Sequence, residues 1–270
     1  MLCLKTAPYV HRPLTPLKPL LSRRSPSLFS PPRCNLRSAT AAVQMSTSAP
    51  ISTVEHVVLF KVRESTDQSK VDSMITNLQA LSSLGISTHL AAAPILRLRS
   101  AAASSAGFTH LLHSRYPSPS DLAAYASDPR HVAVVKDFVV PICEDIMAVD
   151  WVSDLSTGSI SPSPGSAVRL TLAKPKEGKK LELMAELERV KKSAAMRSAG
   201  QVSFGENFSP ARAKGYEVGF LAVFDGVEAL NGLEKDEASA EEEKKKVRPF
   251  LESVLVVDFV VPPAPAPATL

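Results

Sequence analysis

Val149-Asp150-Trp151-Val152 recurs as Val257-Asp258-Phe259-Val260, and Gly107-Phe108-Thr109 recurs as Gly215-Tyr216-Glu217. Both recurrences have an offset of 108 residues. At an offset of 113, His56-Val57-Val58-Leu59-Phe60-Lys61 parallels Arg169-Leu170-Thr171-Leu172-Ala173-Lys174. Segments that recur in the same order describe one structural unit written twice.

Each copy carries the same elements in the same order. In the first, 54–62 is a short, nearly continuous apolar run and reads as a strand. Val71, Met74, Ile75, Leu78 and Leu81 fall at helical spacing, predicting an amphipathic helix over 66–84 that stops at Gly85. A weakly marked strand over 86–98 and a clearer one over 108–116 follow. Ser120 is the expected N-cap of a helix over 121–126. Asp128-Pro129 restarts the helix, with Val132, Val135 and Val139 as its apolar stripe. The strand 143–152 completes the order βαββαβ. The second copy is looser. Leu183, Leu187, Val190 and Ala194 mark its first helix, and a second covers 227–247. There Glu241, Glu242, Lys245 and Lys246 are spaced for i,i+4 pairs on a solvated face. Residues 153–166, rich in Ser, Gly and Pro, read as a flexible linker between domains 54–152 and 167–261, and 262–270 as a Pro/Ala tail.

A βαββαβ unit is ferredoxin-like: an antiparallel sheet with both helices on one face. The other face stays bare, yet the strands are apolar on both sides. Soluble monomers do not expose an apolar patch of several hundred Å², and a second copy of the same sheet is the nearest cover. The predicted class is therefore α+β, with two repeats pairing into an intramolecular dimeric α/β barrel, a pseudo-dimer that leaves further homo-oligomerisation open.

The 270 residues are 44% hydrophobic and 21% charged, an ordinary globular balance. No apolar stretch reaches the ~18–20 residues of a membrane span. Three cysteines do not make a disulfide framework; Cys143 reads as a buried apolar thiol. The net charge of +4 is misleading. Residues 1–45 hold seven of the 31 Lys/Arg and none of the 27 acids. The remainder has no basic excess, which removes the electrostatic basis for nucleic-acid binding. It also lacks a cationic amphipathic stretch of the kind that binds anionic lipid. The leader, basic, acid-free and rich in Pro and Ser, reads as a disordered transit peptide. Its composition points to a chloroplast or other plastid. A start at Met45 would leave a cytosolic form, and the final Leu270 is the one point of agreement with a peroxisomal signal.

Val54-Glu55-His56-Val57-Val58-Leu59-Phe60-Lys61, Gly107-Phe108-Thr109-His110, Asp128-Pro129-Arg130-His131-Val132 and Asp145-Ile146-Met147-Ala148-Val149-Asp150 together resemble the stress-responsive dimeric A/B barrel (Dabb) family. The second copy resembles a degenerate member without the histidines. The resemblance implies a plant stress-response protein of plastid or peroxisome, of undefined biochemical activity, related to defence proteins in some members. One enzyme of the family, a plant polyketide cyclase, uses a His as base and a Tyr to orient a substrate carbonyl. By that resemblance His131 and Tyr125 match the catalytic pair, with His56 and His110 as accessory histidines. Leu233 and Ser239 take the pair's places in the second copy, so one complete site at most is expected. The resemblance also implies a magnesium ion held by the backbone carbonyls of Gln79, Ser82, Ser83 and Gly85. Helix-end carbonyls suit hard cations, although no carboxylate stands among them.

The readings are thus a stress-response barrel without defined activity that binds a small apolar ligand, or a cyclase-like enzyme. The same histidines and tyrosine also serve a packed core without any chemistry.

Overall fold

The computed structural model describes residues 52–155, 161–235 and 237–263. The leader, and with it the transit-peptide reading, lies outside them, as does most of the tail.

The first repeat runs β1 Ser52–Val62, α1 Gln68–Ala80, β2 His89–Leu98, α2 Ala101–Ala106, β3 His110–Tyr116, α3 Pro119–Ser127, α4 Pro129–Val134 and β4 Cys143–Asp154. The second runs β5 Ala167–Pro175, α5 Lys180–Lys191, β6 Ala199–Glu206, β7 Val218–Phe224, α6 Gly226–Lys235, α7 Glu237–Val247 and β8 Leu251–Val260. All pairings are antiparallel, in the order β4-β1-β3-β2-β8-β5-β7-β6. The two repeats share one sheet through β2 and β8, where Ile95 faces Phe259 and Leu98 faces Val257. At the other margin Trp151 bridges to Asn207, and the Phe208 N–H donates to the Asp150 carbonyl at 2.9 Å. The sheet therefore closes on itself, which removes the exposed edges that an open sheet would offer.

Period-2 alternation divides each strand between two environments. Val57, Leu59, Leu111, Met147, Val149 and Trp151 meet Val168, Leu170, Leu172, Leu221, Val257 and Phe259 inside the barrel. The alternate residues face the helices. In repeat one these are Val54, Phe60, Leu112 and Tyr116 against Met74, Leu78 and Tyr125. In repeat two they are Ala173, Val218 and Phe220 against Leu183, Leu187 and Leu230. The largest interior ring, Trp151, is fully buried and donates from Nε1 to Ser203 Oγ at 3.0 Å. It fits because two positions opposite it lack a side chain. A Cβ on Gly219 would lie 2.3 Å from the indole, and one on Gly205 2.7 Å from the Val152 carbonyl.

Several expectations are corrected. Ser118, not Ser120, caps α3, its Oγ accepting from the Asp121 N–H. Asp128 does cap α4, accepting from the Arg130 N–H at 2.8 Å. The expected stripe is broken: α4 passes after six residues into a π-helical turn, 135–139, so the 3.6 period is lost. Val139 is buried while Val132 is half exposed. The helix expected over 227–247 is two helices, and its ion pairs are Glu241–Lys244 and Glu243–Lys246 at i,i+3. Part of the linker is pinned, with the Gly165 N–H donating to the Val261 carbonyl and Ser161 Oγ to the Thr88 carbonyl. Helix α2 is an addition to the expected elements. Its signals are present in the sequence: Ser100 Oγ accepts from the Ala103 N–H, and Gly107 closes the helix at φ 68°.

Candidate functional site

The outward face of β1 and β4 carries His56 and Asp150 directly opposite one another. His56 Nδ1 is 2.5 Å from Asp150 Oδ1, and both side chains are almost wholly buried. Burial pushes the Asp150 carboxyl up, but the hydrogen bond and charge of His56 outweigh it, with help from Ser209 and Arg212, and hold it below the ordinary range. An ionised carboxylate only accepts. Nδ1 of His56 therefore donates to Asp150.

Above this pair stand two phenols. The His56 ring lies 6.2 Å from Tyr116 and 6.5 Å from Tyr125, and the two tyrosine rings are 5.2 Å apart. Burial raises both hydroxyls well above the usual phenol range, so both remain donors. The Tyr125 ring is 4.6 Å from that of His131, the first-turn histidine of α4. The Ala126 carbonyl lies 3.0 Å from His131 Nδ1 and can only accept, so Nδ1 is the protonated nitrogen. Burial lowers the His131 pKa, and the imidazole is neutral at pH 7. His131 is half buried, whereas Tyr116, Tyr125 and His56 have almost no exposed surface.

The geometry thus unites three of the four expected residues. His110 is not among them. It shares the outward face of β3 but pairs with Phe60, four residues along the strand from Ser114, which pairs with His56. That is roughly 13 Å of strand. Its Nδ1 meets Thr109 Oγ1 at 2.8 Å instead. Sequence reasoning gives no role to Asp150, Tyr116, Ser209 or Arg212. The first is visible as the one charged position kept in both copies of the Val-Asp-aromatic motif.

In repeat two Arg169 stands opposite Asp258 where His56 stands opposite Asp150. Its Nε and Nη2 donate to the two carboxylate oxygens at 2.8 and 3.0 Å. Leu233 replaces Tyr125. Here the sheet and helices do not meet fully: a cavity of about 740 Å³ lies between β5, β7 and β8 and the helices α5, α6 and α7. Leu183, Leu187, Val190, Val218, Phe220 and Leu233 make its apolar walls, and Arg99 and Arg169 border it. The cause is local. Val247 is the one large apolar residue that α7 offers, and a leucine does not fill the space of a tyrosine. A second apolar groove, about 660 Å³, runs along Ala93–Leu96 and Val260–Pro263.

A further polar group sits inside the barrel. Glu55, His113 and Arg115 are all fully buried. Glu55 accepts from His113 Nε2 at 2.6 Å and from Arg115 Nε at 3.1 Å, while Arg115 Nη1 donates to Gln201 of repeat two at 2.8 Å. Burial pushes Glu55 up, yet His113 and Arg115 hold it at about 2.

The four carbonyls proposed for magnesium lie at the end of α1 and in the following turn. The Ser82 carbonyl already accepts from the Gly85 N–H at 3.2 Å, and the Gln79 amide is turned away to donate to the Ala92 carbonyl. No cluster of three or more His, Cys, Asp or Glu suited to a metal occurs among the described residues. A set of neutral carbonyls without a carboxylate is a poor fit for a resident hard cation. Cys143 is buried and free, its thiol pushed up to about 11 by burial. No helix among the described residues is long and apolar enough to cross a membrane.

Comparison with known proteins agrees with this architecture. The stress responsive A/B barrel domain matches residues 54–153 and again 167–261. A stress-response A/B barrel domain-containing protein of Arabidopsis thaliana is 45% identical over 221 residues, covering 81% of this chain and 82% of that protein. A second protein of the same plant and description is 39% identical over 212 residues, covering 78% of this chain and 98% of its own length. Among solved structures, an anthrone oxidase-like protein superposes with a TM-score of 0.52 at 10% identity, over 78% of this chain and 91% of its own; it shares the fold. By these matches and by its two closed repeats, the chain belongs to the stress-response A/B barrel family.

Proposed function

We propose that this stress-response A/B barrel protein works in a plant plastid, where it binds a small, largely apolar molecule in the cavity of repeat two. The observation that carries the reading is the cavity itself. Its volume of about 740 Å³ lies within the range of small-molecule sites, and its walls are mostly apolar with a few charged groups at the border. The acid-free leader supports the plastid, and a fusion of residues 1–50 to a fluorescent protein tests the address against cytosol and peroxisome. A part in plant defence rests on the family resemblance alone. The binding test is titration with a fluorescent apolar probe. Leu233→Tyr places the larger residue of repeat one in the cavity wall, where it narrows the space and weakens probe binding. Unchanged binding by that folded variant contradicts the reading.

A second reading is favoured by the Tyr125–His131 contact above the His56–Asp150 pair. There, a cyclase-like reaction would use His131 Nε2 to take the proton from a carbon between two carbonyls, with Tyr125 donating to the resulting enolate oxygen. The carbanion would add to another carbonyl carbon of the same molecule, opening that C=O to an alkoxide, which would take back the proton held at His131 Nε2. Incubation of a linear polyketide with wild type and Tyr125→Phe, followed by product analysis, tests it: cyclisation lost in the variant supports the reading, and equal product contradicts it.

A further inference from the structure

The cavity of repeat two is polar at one end and apolar along the rest. Its floor is the outward face of β5, β7 and β8. Along it Arg169 stands opposite Asp258, Thr171 opposite Val256 and Ala173 opposite Val254. Each step is two residues, roughly 7 Å of strand. From the arginine end the floor therefore passes to a single hydroxyl and then to none. Val218 and Phe220 of β7 continue the apolar part, and Leu183, Leu187 and Val190 of α5 close it from the helix side.

Repeat one contributes the second cation of the polar end. Arg99 follows β2, and its N–H donates to the Val256 carbonyl at 2.8 Å, which sets it beside β8. Its Nε lies 3.6 Å from Asp258 Oδ2, while Arg169 Nε is 2.8 Å from Oδ1. Two guanidiniums from two repeats thus converge on one buried carboxylate, and both line the cavity. Neither is sealed in: the side chains keep 31% and 17% of their surface exposed. A guanidinium has five N–H donors, so each arginine can hold Asp258 and a ligand oxygen together. The other charges of the lining belong to the α7 side and the start of β8. Glu243 is paired with Lys246, and Lys244 and Arg248 with Glu241. Glu252 is six residues before Asp258 in β8, about 20 Å of strand away.

A neutral apolar molecule fills the apolar length but leaves the arginine end unmet. A carboxylate brings two oxygens, which match one guanidinium fork, and Asp258 already plays that part. A phosphate monoester brings three acceptor oxygens and nearly two charges at pH 7, and reaches both arginines. We propose that the cavity of repeat two takes the phosphate monoester of an apolar alcohol, its phosphate at Arg99 and Arg169 and its chain against Leu183, Leu187 and Phe220. This rests on the reading of that cavity as an apolar-ligand site and adds the head group. It also gives meaning to the change from the His56–Asp150 pair to the Arg169–Asp258 pair, which puts a permanent cation at the cavity.

The test uses the full chain and three competitors of one chain length, octyl phosphate, octanoate and octanol, each displacing the fluorescent apolar probe. Octyl phosphate displaces it at about tenfold lower concentration than octanol, as charge-assisted hydrogen bonds would give, and octanoate lies between. The variant is Arg99→Gln rather than Arg169→Gln, because Arg169 is the closer partner of buried Asp258 and its loss endangers the fold. Arg99→Gln removes most of the advantage of octyl phosphate and leaves octanol unchanged, and Arg99→Lys retains more of it. An advantage that survives Arg99→Gln puts the phosphate elsewhere and overturns the proposal. If the fluorescent probe binds but octyl phosphate does no better than octanol or octanoate, the cavity is a purely apolar site and the head-group proposal fails. If the fluorescent probe does not bind at all, the cavity reading fails and this proposal fails with it.

Discussion

His56 faces Asp150 across β1 and β4, and in the second repeat Arg169 faces Asp258 at the corresponding pair across β5 and β8. One buried carboxylate is kept in each half while the side chain paired with it differs. Removing one member of such a pair leaves the other desolvated and alone. Asp150→Ala is expected to cost about 3 kcal/mol in urea unfolding, and the double variant with His56→Ala less than the two single costs summed. A loss under about 0.5 kcal/mol for Asp150→Ala, in the range of an exposed pair, would show that the pair is solvated.

Trp151 stands against Gly219, with no room between them. Gly219→Ala places a Cβ 2.3 Å from the indole, so ring or strand must move, an overpacking cost of about 1–3 kcal/mol. Trp151→Ala costs about 3–5 kcal/mol. The pair of changes together costs less than their sum, because the truncated ring makes space for the methyl. Chemical denaturation of the three variants checks this; strict additivity would contradict the packing described.

Acid should unfold this protein early. Burial lowers the pKa of His89 to about 3, and burial likewise lowers those of His110, His113 and His131. The unfolded chain takes up protons at these rings near pH 6.5 while the folded chain does not. Their contribution to stability is therefore complete above pH 6.5 and is lost as pH falls towards the folded values. Glu55 adds to this at lower pH, since its carboxyl is held at about 2 against an ordinary 4.5. Melting temperature is expected to be level between pH 7 and 8 and to decline steadily from pH 6.5 to 4. A level profile down to pH 5 would mean that the rings are hydrated and titrate normally.

How much of this was legible follows from the kind of signal each part leaves. The duplicated Val-Asp-aromatic and Gly-aromatic segments show the repeat, and a sheet apolar on both faces demands a cover, so closure can be argued from the chain alone. Strand register cannot. It decides that Tyr116 joins His56 while His110, in the same strand, does not. The cap at Ser118 rather than Ser120 is a matter of two residues in a Ser/Pro run where either could serve. The π-helical turn defeats the valine stripe because periodicity arguments assume one period throughout. Ser209 and Arg212 are invisible for a different reason: they act on a site some 60–80 positions away in the chain, and nothing local marks them. The cavity of repeat two is legible only in part, as the exchange of Tyr125 for Leu233.

The account rests on one barrel closed by two halves of the same polypeptide. A protease site placed within residues 156–160, where the repeats are joined, tests this most directly. After complete cleavage, size-exclusion chromatography with light scattering should return a single 1:1 complex of the two halves at the mass of the uncut protein, held by β2 against β8 and by Trp151 against Asn207. Separation into free halves, or recovery of repeat one paired with itself, would contradict it.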